Sequence, residues 1–235
     1  MNLIVLGADG QIGKALQDKL KDQHVLVCLD KAYQKNSITD NDIFIPIDIE
    51  NSNSIEESIE LIKKNNIKID GIINLIGKNS FLNFYNISRS DWESSFNVNL
   101  AGFLFFLKAS YILFNKKVSI VSLASQNGIV AHENRVDYGT FKAAMIHLVK
   151  NLTIDFLEDK EKDIKINCIS PSYIITENNK DFFNTMEGKK LIKKIPLKTL
   201  VEINDVIHAI EFLLSDKSKA IRGQNIVIDY GYTII

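Results

Sequence analysis

Tyr138 and Lys142 stand four residues apart in Tyr138-Gly139-Thr140-Phe141-Lys142. On a helix that spacing puts both side chains on one face. A free phenol has a pKa of about 10, too high for a good base near neutrality. A cationic neighbour stabilises the phenolate and brings that value down. The pair could therefore exchange a proton with an alcohol or carbonyl oxygen. In a lysine-rich chain, a given tyrosine has a lysine at that offset in about one case in ten, so the pair alone proves little.

A second constellation lies at the start of the chain. Gly7-Ala8-Asp9-Gly10-Gln11-Ile12-Gly13 follows a short apolar run and opens a helical pattern. Glycines there allow a tight turn, close approach of a pyrophosphate and close packing of helix on sheet. The helix start then offers free N–H groups to phosphate. Asp30 ends the next apolar run, placed to accept from both hydroxyls of an adenosine ribose and to repel a 2′-phosphate. That favours NAD over NADP. Lys31 beside it could pair with a 2′-phosphate and keeps NADP possible.

Other pieces surround these two. Ser125 lies thirteen residues before Tyr138, after Val121-Ser122-Leu123-Ala124. Asn74-Leu75-Ile76-Gly77 ends the fourth strand-like run. Asp91-Trp92 precedes Phe96-Asn97-Val98-Asn99-Leu100-Ala101-Gly102. Asn167-Cys168-Ile169-Ser170-Pro171 is followed by Thr176, and Gly223-Gln224 by Asp229-Tyr230-Gly231. Together, and in this order over nearly the whole chain, these residues resemble the short-chain dehydrogenase/reductase family, single-domain type.

The resemblance implies an NAD(P)-dependent oxidoreductase that interconverts an alcohol and a carbonyl. Tyr138 would be the general acid/base, Lys142 would lower its pKa and hold the nicotinamide ribose, and Ser125 would bond the substrate oxygen. Asn99 would anchor a water in a proton relay. The phosphate turn (Gly7, Asp9, Gly10, Gln11, Ile12, Gly13) and Asp30 with Lys31 would hold one part of the cofactor. Asp48 and Ile49 would lie near the adenine, Asn74 and Gly77 beside the dinucleotide. Pro171, Ile174 and Thr176 would cover the nicotinamide end. A structural bond between strands is an equal expectation for Asn74, and local capping an alternative for Ser125 and Asn99 singly. The chain departs from the single-domain pattern at Gln11, where a glycine is usual. Its glycine spacing matches the extended members that act on nucleotide sugars. Leu6, Ser172 and Tyr230 are further departures. A nucleotide-sugar-modifying enzyme, or a sensor or scaffold that lost turnover, are the competing readings. The intact set of Ser125, Tyr138, Lys142 and Asn99 argues against the second.

The elements that must position these residues are legible as alternating patterns. Candidate strands fall at 2–6, 24–30, 43–47, 69–76, 117–123, 164–169 and 225–229, several of them apolar at nearly every position, as strands covered on both faces must be. Helical patterns fall near 11–22, 54–65, 90–114, 137–158 and 203–214. Ser54 with Glu57, and Ser90 with Glu93, have capping-box spacing. The alternation predicts an α/β fold, a Rossmann-type doubly wound parallel sheet of about seven strands with helices on both faces. Residues 1–235 read as one domain, with the polar, Lys/Asn-rich stretch 172–200 as a substrate lid.

Bulk properties narrow the partners. With 235 residues, 46% of them hydrophobic, the chain can bury a sizeable core unaided. A net charge of −1, from 28 basic and 29 acidic residues, gives no electrostatic reason to expect nucleic acid or membrane. Cys28 and Cys168 sit in strand-like runs and read as small buried hydrophobes. No metal site is expected, since the four histidines are scattered. The chain shows no signal peptide, so a cytoplasmic location is expected. Phe103, Phe105, Phe106 and Leu107 are apolar on too many sides for one solvated face. The family resemblance implies a homodimer or homotetramer with contacts through the helices near 100–114 and 138–157, which this apolar pattern suits; burial of the helix within its own layer is the alternative. The substrate is a small alcohol or carbonyl compound of unread identity.

Overall fold

The structure, a computed structural model, describes residues 1–39 and 42–235. The chain starts with strand β1 (Asn2–Leu6), helix α1 (Gln11–Leu20), strand β2 (Val25–Asp30), a two-residue strand β3 (Ser37–Ile38) and β4 (Ile43–Pro46). It continues with α2 (Ser52–Lys64), β5 (Ile69–Asn74), α3 (Arg89–Phe96), a π-helical turn at Asn97–Ala101 and α4 (Gly102–Ser110). The second half holds β6 (Phe114–Leu123), α5 (Tyr138–Leu157), β7 (Asp163–Pro171), short helices α6 (Lys180–Asn184) and α7 (Met186–Lys193), α8 (Ile203–Leu214) and β8 (Asn225–Ile228).

The strands form one sheet in the order β3-β4-β2-β1-β5-β6-β7-β8, parallel throughout except for β3. The order reverses between β1 and β5, where Leu3 to Leu6 pair with Gly71 to Asn74. In an open parallel sheet, a crevice forms at such a reversal, beyond the carboxyl ends of the strands.

Alternation along β1 divides the core in two. Ile4 and Leu6 face a cluster with Ile62, Phe103, Phe106, Met145 and Val149. Leu3 and Val5 face a second cluster with Leu16, Leu20, Val206, Ile207 and Ile210. Side chains on successive strand residues point to opposite faces, so a continuous apolar run supplies both layers. This is the doubly wound architecture expected.

Several local expectations need correction. The sheet has eight strands because β3 is an antiparallel edge whose two residues are both exposed; two residues are too few to produce a readable period. The long helical pattern at 90–114 is divided by the π-helical turn and ends in a 3-10 turn at Tyr111–Leu113. Both capping boxes shift. Helix α2 is capped by Asn51, whose side chain accepts from the Asn53 and Ser54 N–H groups. Helix α3 is capped by Ser88 and Asp91 in a reciprocal box. In each case another polar residue two or three positions upstream of the expected cap reaches the free N–H groups.

Among the described residues, the helical run Arg89–Leu113 is long and apolar enough to cross a membrane. Its apolar side is occupied in the fold, since Phe103, Phe106 and Leu107 are buried in the first core cluster.

Candidate active site

The site is assembled where the sheet order reverses. Gly7 follows β1 with φ +79°, a left-handed conformation that favours glycine. Its N–H donates to the Leu29 carbonyl at 2.9 Å, which ties the turn to β2. A Cβ on Gly13 would lie 2.5 Å from the Gly7 carbonyl oxygen and 2.6 Å from that of Ala8, so only glycine lets α1 start this close to the turn. Gly10 caps α1 with no side-chain bond, and no acid occupies the first turn. The helix therefore presents its N–H groups and dipole forward. The Gln11 Oε1 is buried without a partner. The glycine turn and the open helix start fit a pyrophosphate; the orphaned Gln11 oxygen is itself an acceptor and adds nothing to that fit.

Two clefts flank the turn. One, of about 300 Å³, is lined by Gly7, Gly10, Asp30, Lys31, Asp48, Ile49 and Gly77, with Ile47, Lys78 and Val98 among the further walls. The other, of about 220 Å³, is lined by Gly7, Gly10, Gln11, Ile12 and Gly13 together with Leu75 and Thr176. The Asp30 carboxylate accepts from the Asp9 N–H and the Ala32 N–H, each at 2.9 Å. One bond goes to each oxygen, so acceptor capacity remains for a ligand. Asp9 turns its own carboxylate to Lys14, 3.0 Å away.

Asn74 is buried and donates to Ser122 Oγ at 3.0 Å, while its Oδ1 accepts from the Ile76 N–H at 3.2 Å. It ties β5 to β6 and fixes the turn into Gly77, and it lines neither cleft. Pro171 is buried in its pairing with Ile228 at the end of β7. Ile174 bridges Val201. Asp9, Asn74, Pro171 and Ile174 thus support the clefts from outside their walls.

Lys142 and Asn99 converge on Gly77. A Cβ there would lie 3.3 Å from Lys142 Nζ and 3.6 Å from Asn99 Oδ1. Asn99 sits in the π-helical turn and is fully enclosed. Its amide donates to the Lys78 carbonyl at 2.9 Å and to Ser95 O and Oγ at 3.0 and 3.1 Å. Its Oδ1 accepts from the Lys78 N–H at 3.0 Å. Lys142 is 1% exposed; it donates to the Leu123 carbonyl at 2.8 Å and lies 3.5 Å from that of Ile76. Burial pulls its ammonium down to about 8. Tyr138 opens α5, with the Lys142 ammonium 5.6 Å from its ring centre. Burial pushes its phenol above the usual value, while a hydrogen bond with Ser125 and the charge of Arg135 oppose that rise. Ser125 Oγ also accepts from the Asn127 N–H at 3.1 Å.

The enoyl-(acyl carrier protein) reductase family model matches residues 17–233. The chain belongs to the short-chain dehydrogenase/reductase family. It is 30% identical to the NAD-dependent glycerol dehydrogenase of Listeria innocua, over 98% of this chain and 93% of that protein. It superposes on 4-hydroxyisoleucine dehydrogenase complexed with NADH with a TM-score of 0.88 at 27% identity, covering 100% of both chains. A short-chain dehydrogenase of Leptospira borgpetersenii with bound NAD+ gives a TM-score of 0.86 at 27% identity, over 99% of this chain and 92% of that one. As a short-chain dehydrogenase/reductase, the protein is an NAD(P)-dependent oxidoreductase acting on alcohol and carbonyl groups.

Sequence reasoning missed several residues of this short-chain dehydrogenase/reductase. Arg135, His132, Gln126 and Tyr173 gather near Tyr138, and the Gln126 Oε1, Arg135 Nε and Ser172 Oγ are buried without partners. Their positions carry no regular spacing, because they come from irregular loops after β6 and β7. Ser172 and Tyr230, noted as departures, both stand at strand ends. Tyr230 keeps a left-handed φ of +49° at a place where glycine is usual.

Proposed function

We propose that this oxidoreductase uses Tyr138 as its general acid/base, with NAD as the preferred cofactor. The observation that carries the mechanism is the convergence of Lys142 and Asn99 on Gly77 at the mouth of the reversal crevice, with Tyr138 over Lys142. The bound nicotinamide supplies or accepts the hydride. In alcohol oxidation, Tyr138 Oη takes the hydroxyl proton; in carbonyl reduction, it returns one to the oxygen. Ser125 Oγ shares its hydrogen bonding with that same oxygen. Lys142 favours the phenolate by its charge and has N–H capacity left for a ribose hydroxyl. Asn99, bonded on both sides to Lys78, holds the π-helical turn so that a water can reach Lys142.

Preference for NAD rests on Asp30. Its remaining lone pairs accept from two vicinal hydroxyls, and its charge repels a phosphate. The glycerol dehydrogenase relative is NAD-dependent, and the two structural neighbours carry NADH and NAD+. Tyr138, Lys142, Asp48, Ile49 and the Gly7–Gly13 turn complete the binding assignment, with Thr176 facing the turn from residues 172–200. We assign that segment, with α6 and α7, as a lid over the substrate. The single domain acts as a homodimer or homotetramer in the cytoplasm. Phe103, Phe106 and Leu107 are spent on the core, so the contact face is built from Phe105, Ile112, Ile154 and Leu157, each more than half exposed. Free, buried Cys28 and Cys168 suit a reducing compartment.

A side-by-side titration of NADH and NADPH, followed by nucleotide fluorescence, tests this reading. NADH binding tighter than NADPH supports it. Tighter NADPH binding overturns the preference, and binding of neither overturns the assignment of the clefts.

A further inference from the structure

A pocket of about 460 Å³ opens beside Tyr138, between the 83–84 loop and residues 127–140. Phe84, Ile129, Val130 and Val136 supply apolar wall, and the polar side chains among its lining include His132 and Arg135. The volume suits a small organic molecule.

Arg135 is the unusual member. Its guanidinium lies 4.1 Å over the Phe81 ring and is partly buried. One terminal nitrogen donates to the Asn134 carbonyl at 2.8 Å and the Glu133 carbonyl at 3.3 Å. Its Nε is buried without a partner. Among the described residues, no carboxylate lies within 4.0 Å of it. A desolvated guanidinium with an idle donor is costly to keep, and its flat fork matches one chemical group best, a carboxylate bound through both oxygens. Asp137, two residues on, is fully buried with both oxygens unpartnered. It balances part of the charge without occupying the fork.

The pocket is held in shape before any ligand arrives. Asn83 Nδ2 donates to Asn134 Oδ1 at 3.0 Å, and the Val136 N–H donates to the Leu82 carbonyl at 3.3 Å. Phe81 and Asn134 adopt left-handed φ values of +57° and +55°, which the two cross-links maintain. His132 Nε2 lies 2.6 Å from the Tyr173 hydroxyl, fixing the far wall to the segment after β7. Gly139, next to Tyr138, and Asn127, whose N–H donates to Ser125 Oγ, line the same pocket, so it opens directly beside the proposed acid/base.

We propose that the substrate is a small hydroxy or oxo acid whose carboxylate is held by Arg135 while its hydroxyl or carbonyl faces Tyr138. The proposal rests on the reading of the active site above and names the substrate class for it.

The test measures binding of pentanoate and pentanamide to the NADH-loaded protein by titration calorimetry, in wild type, Arg135→Met and Arg135→Lys. We expect wild type to bind the acid at least about tenfold more tightly than the amide, as a charged hydrogen-bonded pair requires. R135M should abolish that preference with NADH affinity within about twofold of wild type, and R135K should retain part of it. Equal affinity for acid and amide in wild type, or a preference that survives R135M, would overturn the proposal. Should R135M melt early, the wild-type comparison and R135K still decide. Failure to bind NADH would overturn the underlying reading as well, whereas NADH binding with no charge preference overturns only this one.

Discussion

The Lys142 ammonium donates to the Leu123 carbonyl at 2.8 Å while lying 5.6 Å from the centre of the Tyr138 ring. A cation enclosed this completely is held by the fold at a cost, and the cost depends on pH. Its value in the folded protein is about 8, against 10.5 for a free lysine. Below about 8 both states carry the proton and the penalty is constant. Between about 8 and 10.5 the unfolded chain binds more protons, so this residue makes stability rise with pH. Denaturation of the nucleotide-free protein should therefore show wild type gaining on Lys142→Met by up to about 3 kcal/mol across that window. A difference that stays flat from pH 7 to 10.5 would mean the ammonium is solvated.

Tyr138→Phe removes one oxygen and little else. Turnover should fall by roughly 100-fold or more, the usual contribution of a positioned acid/base, while NADH affinity stays within about twofold. Steady-state rates alongside nucleotide fluorescence separate the two effects. Unchanged turnover would place the proton transfer elsewhere.

Gly13→Ala forces a Cβ within 2.5 Å of the Gly7 carbonyl oxygen. That contact is with backbone and no rotamer relieves it. The variant should lose at least about tenfold in NADH affinity and melt several degrees lower. Full retention of both would show that helix α1 can retreat from the turn.

Asp30→Ser takes charge from the cleft and an acceptor from the Asp9 and Ala32 N–H groups. Preference for NADH over NADPH should fall by about tenfold, with a stability loss of roughly 1–2 kcal/mol for the released donors. Parallel titrations with the two nucleotides and a denaturant melt read these separately.

Burial pushes the Cys28 and Cys168 thiols up to about 12. Neither should react with a thiol-specific reagent at pH 8 in the folded protein, and both should react after unfolding. Native-state labelling at either position would reveal local opening of β2 or β7.

What could be read in advance follows from how each feature is encoded. Helix α8 matches its pattern at 203–214 because five of its residues are buried on one face at helical spacing. The tight turn after β1 was legible because Gly7 and Gly13 answer steric demands that other residues cannot meet. Asn74 was ambiguous for a physical reason: an amide at a strand end can serve a ligand or a neighbouring strand equally well, and only the position of Ser122 decides. Phe103, Phe106 and Leu107 suggested a partner surface because apolarity alone does not say whether a helix is covered from its own chain or another. Arg135 was invisible, since its meaning lies in the Phe81 ring beneath it and in the donors it leaves idle, both set by irregular loops.

None of the residues that wall the 460 Å³ pocket belongs to either core cluster or packs directly against one. Apart from Gly128, where a Cβ would lie 2.7 Å from the Lys142 backbone, and the cross-linked Asn134, substitutions there should carry little folding cost and combine nearly additively with substitutions in the core. If that pocket takes the substrate, the protein is built so that its choice of substrate can drift, or be redirected by a library confined to residues 129–132, while the sheet and its melting temperature stay where they are.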